Sequence, residues 1–261
     1  MSDGVLPGAP SRSLLQVRNL NVDLLAVEGA GAGGAARPAK PAPILSEISF
    51  EIEPGTIVGL FGESGCGKTT LALALLNLLS PAKYRVRGEV RMGGRNLLGL
   101  TDRQLEGVRG AEICLIFQDP LLALNPVLRA GTQVSEVMRA HGCEPAGASL
   151  ESLFHLAGLA DWRRIAAAYP HQLSGGERQR VVIAQALACQ PALVIADEPF
   201  TALDAVRVVE LAALFRNLRS TLRTSFLLIS HSPGVMAATA DCVLVMHGGR
   251  IVERGAPRQV L

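Results

Sequence analysis

Nine consecutive residues, Gly62-Glu63-Ser64-Gly65-Cys66-Gly67-Lys68-Thr69-Thr70, carry the densest chemistry in the chain. Glycines at 62, 65 and 67 allow the backbone to curl so that successive N–H groups point inward, the arrangement that cradles phosphate oxygens. Lys68 follows the last glycine and can reach terminal phosphates. The Thr69 hydroxyl is suited to Mg²⁺. Glu63, Ser64, Cys66 and Thr70 complete the wrap, with Cys66 reading as a small filler. The spacing Gly-x-x-x-x-Gly-Lys-Thr is the P-loop pattern. A phosphate site of this kind needs a carboxylate for the metal and a base for water. Leu193-Val194-Ile195-Ala196-Asp197-Glu198 offers both, with Asp197 as the metal-associated carboxylate and Glu198 as the base facing the γ-phosphate.

These residues require strands to present them. Thr56 to Phe61 is a short β-forming apolar run feeding the loop, and an Ala/Leu helix is expected from there to Leu79. Glu112 to Phe117, Leu193 to Ala196 and Phe226 to Ile229 read as further buried strands. Helices are expected from Val206 to Leu218 and from Gly176 to Cys189. Strands alternating with helices imply a parallel sheet covered on both faces. Upstream, Leu14 to Leu25 and Ile48 to Ile52 read as strands, the second ending at the turn Glu53-Pro54-Gly55. Between them, the Gly/Ala/Pro tract at 29–43 is expected to be a flexible surface loop.

Composition narrows the classes. Of 261 residues, 49% are hydrophobic and 18% charged, which supports a substantial core and excludes global disorder. Lys and Arg number 25 against 23 Asp and Glu, and aromatics are 4%, which argues against a broad basic or base-stacking nucleic-acid surface. No uninterrupted apolar run is long enough for a membrane span, and the first residues lack a secretory signal pattern. Five scattered cysteines without a C-x-x-C pair argue against a zinc site or disulfide framework. The expectation is a soluble, cytoplasmic chain.

Leu173-Ser174-Gly175-Gly176-Glu177-Arg178-Gln179-Arg180 supplies a second anion-binding helix start, since a serine and two glycines open a helix. With this stretch included, the sequence resembles the ATP-binding subunit of an ABC transporter. The resemblance implies a P-loop NTPase core with a parallel sheet, an N-terminal antiparallel β subdomain and an inserted α-helical subdomain. It divides one domain of 1–261 into a core with its β subdomain (12–118 and 190–261) and helices at about 119–175. It also implies ATP and Mg²⁺, and a head-to-tail dimer in which Ser174, Gly175 and Gly176 contact the nucleotide in trans. By the same resemblance Gln118 senses Mg²⁺ and the γ-phosphate, Thr201-Ala202-Leu203-Asp204 crosses the dimer interface, and His231 contacts the γ-phosphate.

Ile116 to Pro120, Ala123 to Val127 and Gly249 to Gly255 are similar to the importer group for dipeptides, oligopeptides and nickel or metal chelates. That similarity implies a second ATPase subunit, identical or different, two transmembrane permease subunits and an extracytoplasmic substrate-binding protein. It places the chain peripherally on the cytoplasmic face of the bacterial inner membrane. Three departures stand out. Leu24 or Leu25 occupies the position of an adenine-stacking aromatic, Phe200 replaces a small polar residue, and Ser232 replaces an acid. Leu121, Leu122, Leu124, Val127, Leu128, Val137 and Met138 are expected to be mainly helical-subdomain core, while also being candidates for the permease groove. The alternative from another class is a soluble ABC-type ATPase acting on DNA or ribosomes. A degenerate, non-hydrolysing subunit has no support while Lys68, Gln118, Asp197, Glu198, Ser174 and His231 are all present.

Overall fold

The computed structural model describes residues 13–25, 41–143, 149–201 and 203–261. In chain order the strands and helices are β1 (Leu15–Leu24), β2 (Ala42–Ile52), β3 (Ile57–Gly62), α1 (Lys68–Leu75), β4 (Tyr84–Met92), β5 (Arg95–Asn96) and α2 (Asp102–Glu106). Next come β6 (Ile113–Ile116), α3 (Pro120–Ala123), α4 (Ala130–Ala140), α5 (Leu150–Leu156), α6 (Trp162–Ala167) and α7 (Gly175–Leu187). The chain ends with β7 (Leu193–Asp197), α8 (Ala205–Leu222), β8 (Ser225–Ser230), α9 (Pro233–Thr239), β9 (Cys242–His247), β10 (Arg250–Gly255) and α10 (Pro257–Val260).

Two sheets organise these elements. The first is antiparallel in the order β2-β1-β4-β5. The second runs β10-β9-β3-β8-β7-β6, parallel throughout except for the β10 edge. Its strands other than the β10 edge are apolar because both faces of the sheet are covered there. Alternation along β8 makes this concrete: Phe226 and Leu228 point into a core shared with α7, α8 and the helices between β6 and β7. Leu227 and Ile229 point into a second core shared with α1 and the antiparallel sheet. The antiparallel sheet is tied to the phosphate loop by backbone bonds through Gly249, whose N–H reaches Cys66 O and whose carbonyl accepts from Ser46.

Several expectations from the sequence are corrected. Strand β2 begins at Ala42, so the last residues of the proposed 29–43 loop are strand, while 26–40 lie outside the described residues. Helix α1 ends at Leu75 rather than Leu79, because Asn77 takes a left-handed φ of 52° that no continuing helix allows. Helix α7 stops at Leu187, two residues short of Cys189. Helix α8 instead runs past the expected end, to Leu222. Leu121, Leu122 and Val127 are exposed, not core, whereas Leu124, Val134 and Met138 are buried. The apolar character of the first three had suggested burial, but α3 is a four-residue helix with no buried residue.

Candidate functional site

Strand order assembles the site. The neighbours β3, β8, β7 and β6 run parallel, so their C-terminal ends emerge at one edge of the sheet. The loop 62–70 leaves β3, His231 follows β8, Asp197 ends β7 with Glu198 after it, and Gln118 lies two residues past β6. Such an edge is where open α/β sheets hold ligands. Ser64, Gly65, Gly67, Lys68, Thr69, Thr70, Gln118, Asp197, Glu198 and His231 line one cleft of about 500 Å³. Every residue expected to act in catalysis or hold metal is therefore brought together.

The remaining loop residues shape the cradle from behind. Lys68, only 7% exposed, donates from Nζ to the carbonyl oxygens of Gly62 and Glu63, both at 2.8 Å. Those bonds fix the ammonium at the floor of the loop. Gly62 has no room for a side chain, since a Cβ would stand 2.4 Å from Met246 O and 2.9 Å from Cys66 Sγ. Cys66 thus fills the space behind Gly62, as its size suggested. Gly67 takes φ 105° at the start of α1 and could not carry a Cβ without meeting Leu45 at 2.8 Å. The positive end of α1 opens into the cleft.

The acidic pair is differentiated by environment. Asp197 is 5% exposed, and its Oδ1 is buried without a hydrogen-bond partner. Burial pushes its carboxyl above the ordinary carboxylate range, opposed by a hydrogen bond from Thr69, reinforced by the charge of Glu198 and opposed again by Lys68. An orphaned buried carboxylate oxygen beside a threonine hydroxyl is a hard-oxygen donor set, and these residues fit Mg²⁺. Glu198 adopts a left-handed φ of 49° while its N–H still bonds Ile229 O at 3.0 Å. Its carboxylate meets His231, whose Nδ1 lies 2.9 Å from Glu198 Oε1. With Glu198 ionised, Nδ1 carries the proton and donates it. Phe200 is buried and packs edge-on against Phe215 at 5.9 Å, anchoring the loop after Glu198 to the core. Ser232 caps α9 through the Val235 N–H.

One residue of the cleft was missed in the sequence reading. Leu24 does not line the cleft; Ile44 of β2 does. Its signal was weak, a lone isoleucine beside Pro43 at the edge of the Gly/Ala/Pro tract. The helix start at Ser174 lies elsewhere in the chain. Ser174, Gly175 and Gly176 stand apart from the β3 cleft; Ser174 and Gly176 line a separate cavity of about 310 Å³. There Ser174 Oγ accepts from the Glu177 N–H and Glu177 Oε2 accepts from the Ser174 N–H, a reciprocal cap at the N-terminus of α7. Arg164 also bonds Glu177. Burial raises the Glu177 carboxyl, but the bonds from Ser174 and Arg164 outweigh it and hold the group below its ordinary value. The helix starts of α1 and α7 thus line different cavities of the chain.

Residues 45–201 match the family model described as ABC transporter. The chain belongs to the ABC transporter family. The cassette is 44% identical over 216 residues to a probable peptide ABC transporter ATP-binding protein of Sinorhizobium fredii, a match covering 81% of this chain and 64% of that protein. It is 39% identical over 254 residues to the oligopeptide transport ATP-binding protein OppD of Salmonella typhimurium, covering 96% of this chain and 72% of that one. Against solved structures it superposes with a TM-score of 0.76 and 25% identity on a dimeric ATP-binding cassette in a post-hydrolysis state bound to ADP and Pi. That superposition covers 94% of this cassette and 99% of the other chain. Among the described residues of the cassette, no helix is long and apolar enough to cross a membrane.

Proposed function

We propose that this ABC cassette is the ATP-hydrolysing subunit of an importer for peptides or related substrates. The observation that carries this reading is the convergence of the phosphate loop, Asp197, Glu198, Gln118 and His231 on one cleft. The relatives' names supply the substrate class, and their extent beyond the matched region is why it stays at class level.

The chain's own residues suit the chemistry. Backbone N–H groups of 64–70 and the α1 terminus would bind the phosphates, with Lys68 on the terminal ones. Thr69 and Asp197 would hold Mg²⁺, with Gln118 beside them; the ion, when bound, neutralises phosphate charge. Glu198 takes the proton of the attacking water, and His231, bonded to Glu198, steadies that carboxylate and faces the γ-phosphate. Ile44 offers an apolar surface at the cleft mouth for the base. Ser174, Gly175 and Gly176 would close over the cleft of a second ATPase subunit, a reading supported by their standing apart from the cleft of their own chain. Such a head-to-tail pair would drive two permease subunits at the cytoplasmic face of the membrane, supplied by an extracytoplasmic binding protein.

The reading is tested by purifying the tagged chain from gently solubilised membranes and identifying its companions. Two polytopic membrane proteins are the expected result. Recovery only with DNA or ribosomes would overturn the transport reading.

A further inference from the structure

The helical region holds a second cleft, of about 560 Å³, between α4 and α6. Arg129, Thr132, Ser135 and Arg139 stand three to four residues apart, which puts them on one face of α4. Arg163 and Trp162 of α6 complete the wall. The helices approach closely here: a Cβ on Gly131 would sit 2.9 Å from Ala166 Cβ. Arg129, Arg139 and Arg163 make no ion pair among the described residues. The Arg129 guanidinium lies 5.8 Å from the Tyr169 ring centroid, and that of Arg163 lies 5.1 Å from the Trp162 ring. An aromatic face orients a guanidinium without neutralising it, so its N–H donors stay available. Among the described residues, no carboxylate lines the cleft. Nearby acids are used elsewhere: Asp161 pairs with Arg164, and Glu151 accepts from Trp162 Nε1. Glu136 of α4 is exposed off the lining. No side chain caps α4, and its first-turn residues Gly131 and Thr132 face the same space.

We infer that this cleft binds a phosphate-bearing anion, through the guanidiniums of Arg129, Arg139 and Arg163 and the hydroxyls of Thr132 and Ser135. Arginine forks match phosphate oxygens in pairs, and the volume suits a small molecule or a lipid headgroup. The inference is independent of the ATP reading, since none of these residues lines the β3 cleft.

Trp162 is the chain's single tryptophan, so its emission reports on this cleft alone. The full chain would be titrated with inorganic pyrophosphate while that emission is followed. A saturable change is expected in the wild type and in Lys68→Ala, which impairs the other phosphate site. In Arg139→Ala/Arg163→Ala the apparent Kd should rise at least tenfold. Both arginines are exposed and make no ion pair among the described residues, and a thermal melt would verify folding; Arg139→Glu alone serves as the second variant. Flotation with phosphatidylglycerol vesicles, lost in the double variant, would assign the phosphate to a lipid, whereas pyrophosphate binding without flotation would assign it to a soluble molecule. Absence of a saturable change in the wild type, or an unchanged Kd in the double variant, would overturn the inference.

Discussion

Glu198 and His231 are joined by one hydrogen bond, and much of the proposed chemistry depends on it. His231→Ala removes the donor, and hydrolysis should fall by about 10²-fold or more, the usual scale for losing a general acid–base partner. Nucleotide affinity should change little, so equilibrium binding measured beside turnover separates the two effects. Glu177 provides a residue-scale test of the α7 cap. Glu177→Ala should cost about 1 kcal/mol in denaturant unfolding at neutral pH. Because the native carboxyl titrates below its unfolded value, that contribution is complete above the unfolded pKa and fades as pH falls through the native one. Wild type and variant should therefore converge in acid. Most of the site was legible at this scale, because Gly62 to Thr70 and Asp197-Glu198 are contiguous runs whose spacing encodes the chemistry. Ile44 and the arginines of the α4–α6 cleft were not, since each is an ordinary residue until the fold sets it beside its neighbours.

Elements convert those residues into a site through the register of four parallel strands. Asp197 pairs beside Ile229, and Phe61 beside Ser230, so a shift of one position would separate the loop from the carboxylates. The aromatic chain Phe200–Phe215–Phe226 locks α8 to β8 and to the loop after Glu198. Phe215 is fully buried, and Phe215→Ala should cost about 3–5 kcal/mol, read as a lowered midpoint in urea unfolding. A cost under about 1 kcal/mol would mean that the aromatic chain does not anchor the loop. The buried strands β3, β6, β7 and β8 were readable as apolar runs between turns. Strand β4 and the hairpin β9–β10 were not singled out. Strand β4 mixes exposed, half-buried and buried positions and is rich in arginine, and β10 is a largely exposed edge, so neither shows the continuous apolar run of a buried strand. Helix ends were misplaced for a local reason too, as Asn77 shows: apolar periodicity carries on through Leu78 and Leu79 after the backbone has turned away.

On the scale of the whole molecule, two surfaces are candidates for partner contacts. Leu121, Leu122 and Val127 are exposed apolar residues shortly after Gln118, so a residue lining the β3 cleft is nearly continuous with a candidate permease contact. Leu122 is 86% exposed, and Leu122→Glu should leave stability within about 0.5 kcal/mol and basal hydrolysis intact. Transport in membrane vesicles should be lost. If hydrolysis fell together with transport, the stretch would belong to the catalytic unit instead. The second surface is the α7 start at Ser174, which lines a cavity apart from the β3 cleft and on the proposed reading serves the cleft of another subunit. Both readings rest on the β3 cleft being a working ATP site with Glu198 as its base. The most direct measurement is phosphate release from ATP by purified wild-type chain and by Glu198→Gln, with bound nucleotide quantified in parallel. The account predicts that the variant keeps its ATP and releases phosphate at least about 10²-fold more slowly. Hydrolysis by Glu198→Gln at the wild-type rate would contradict it.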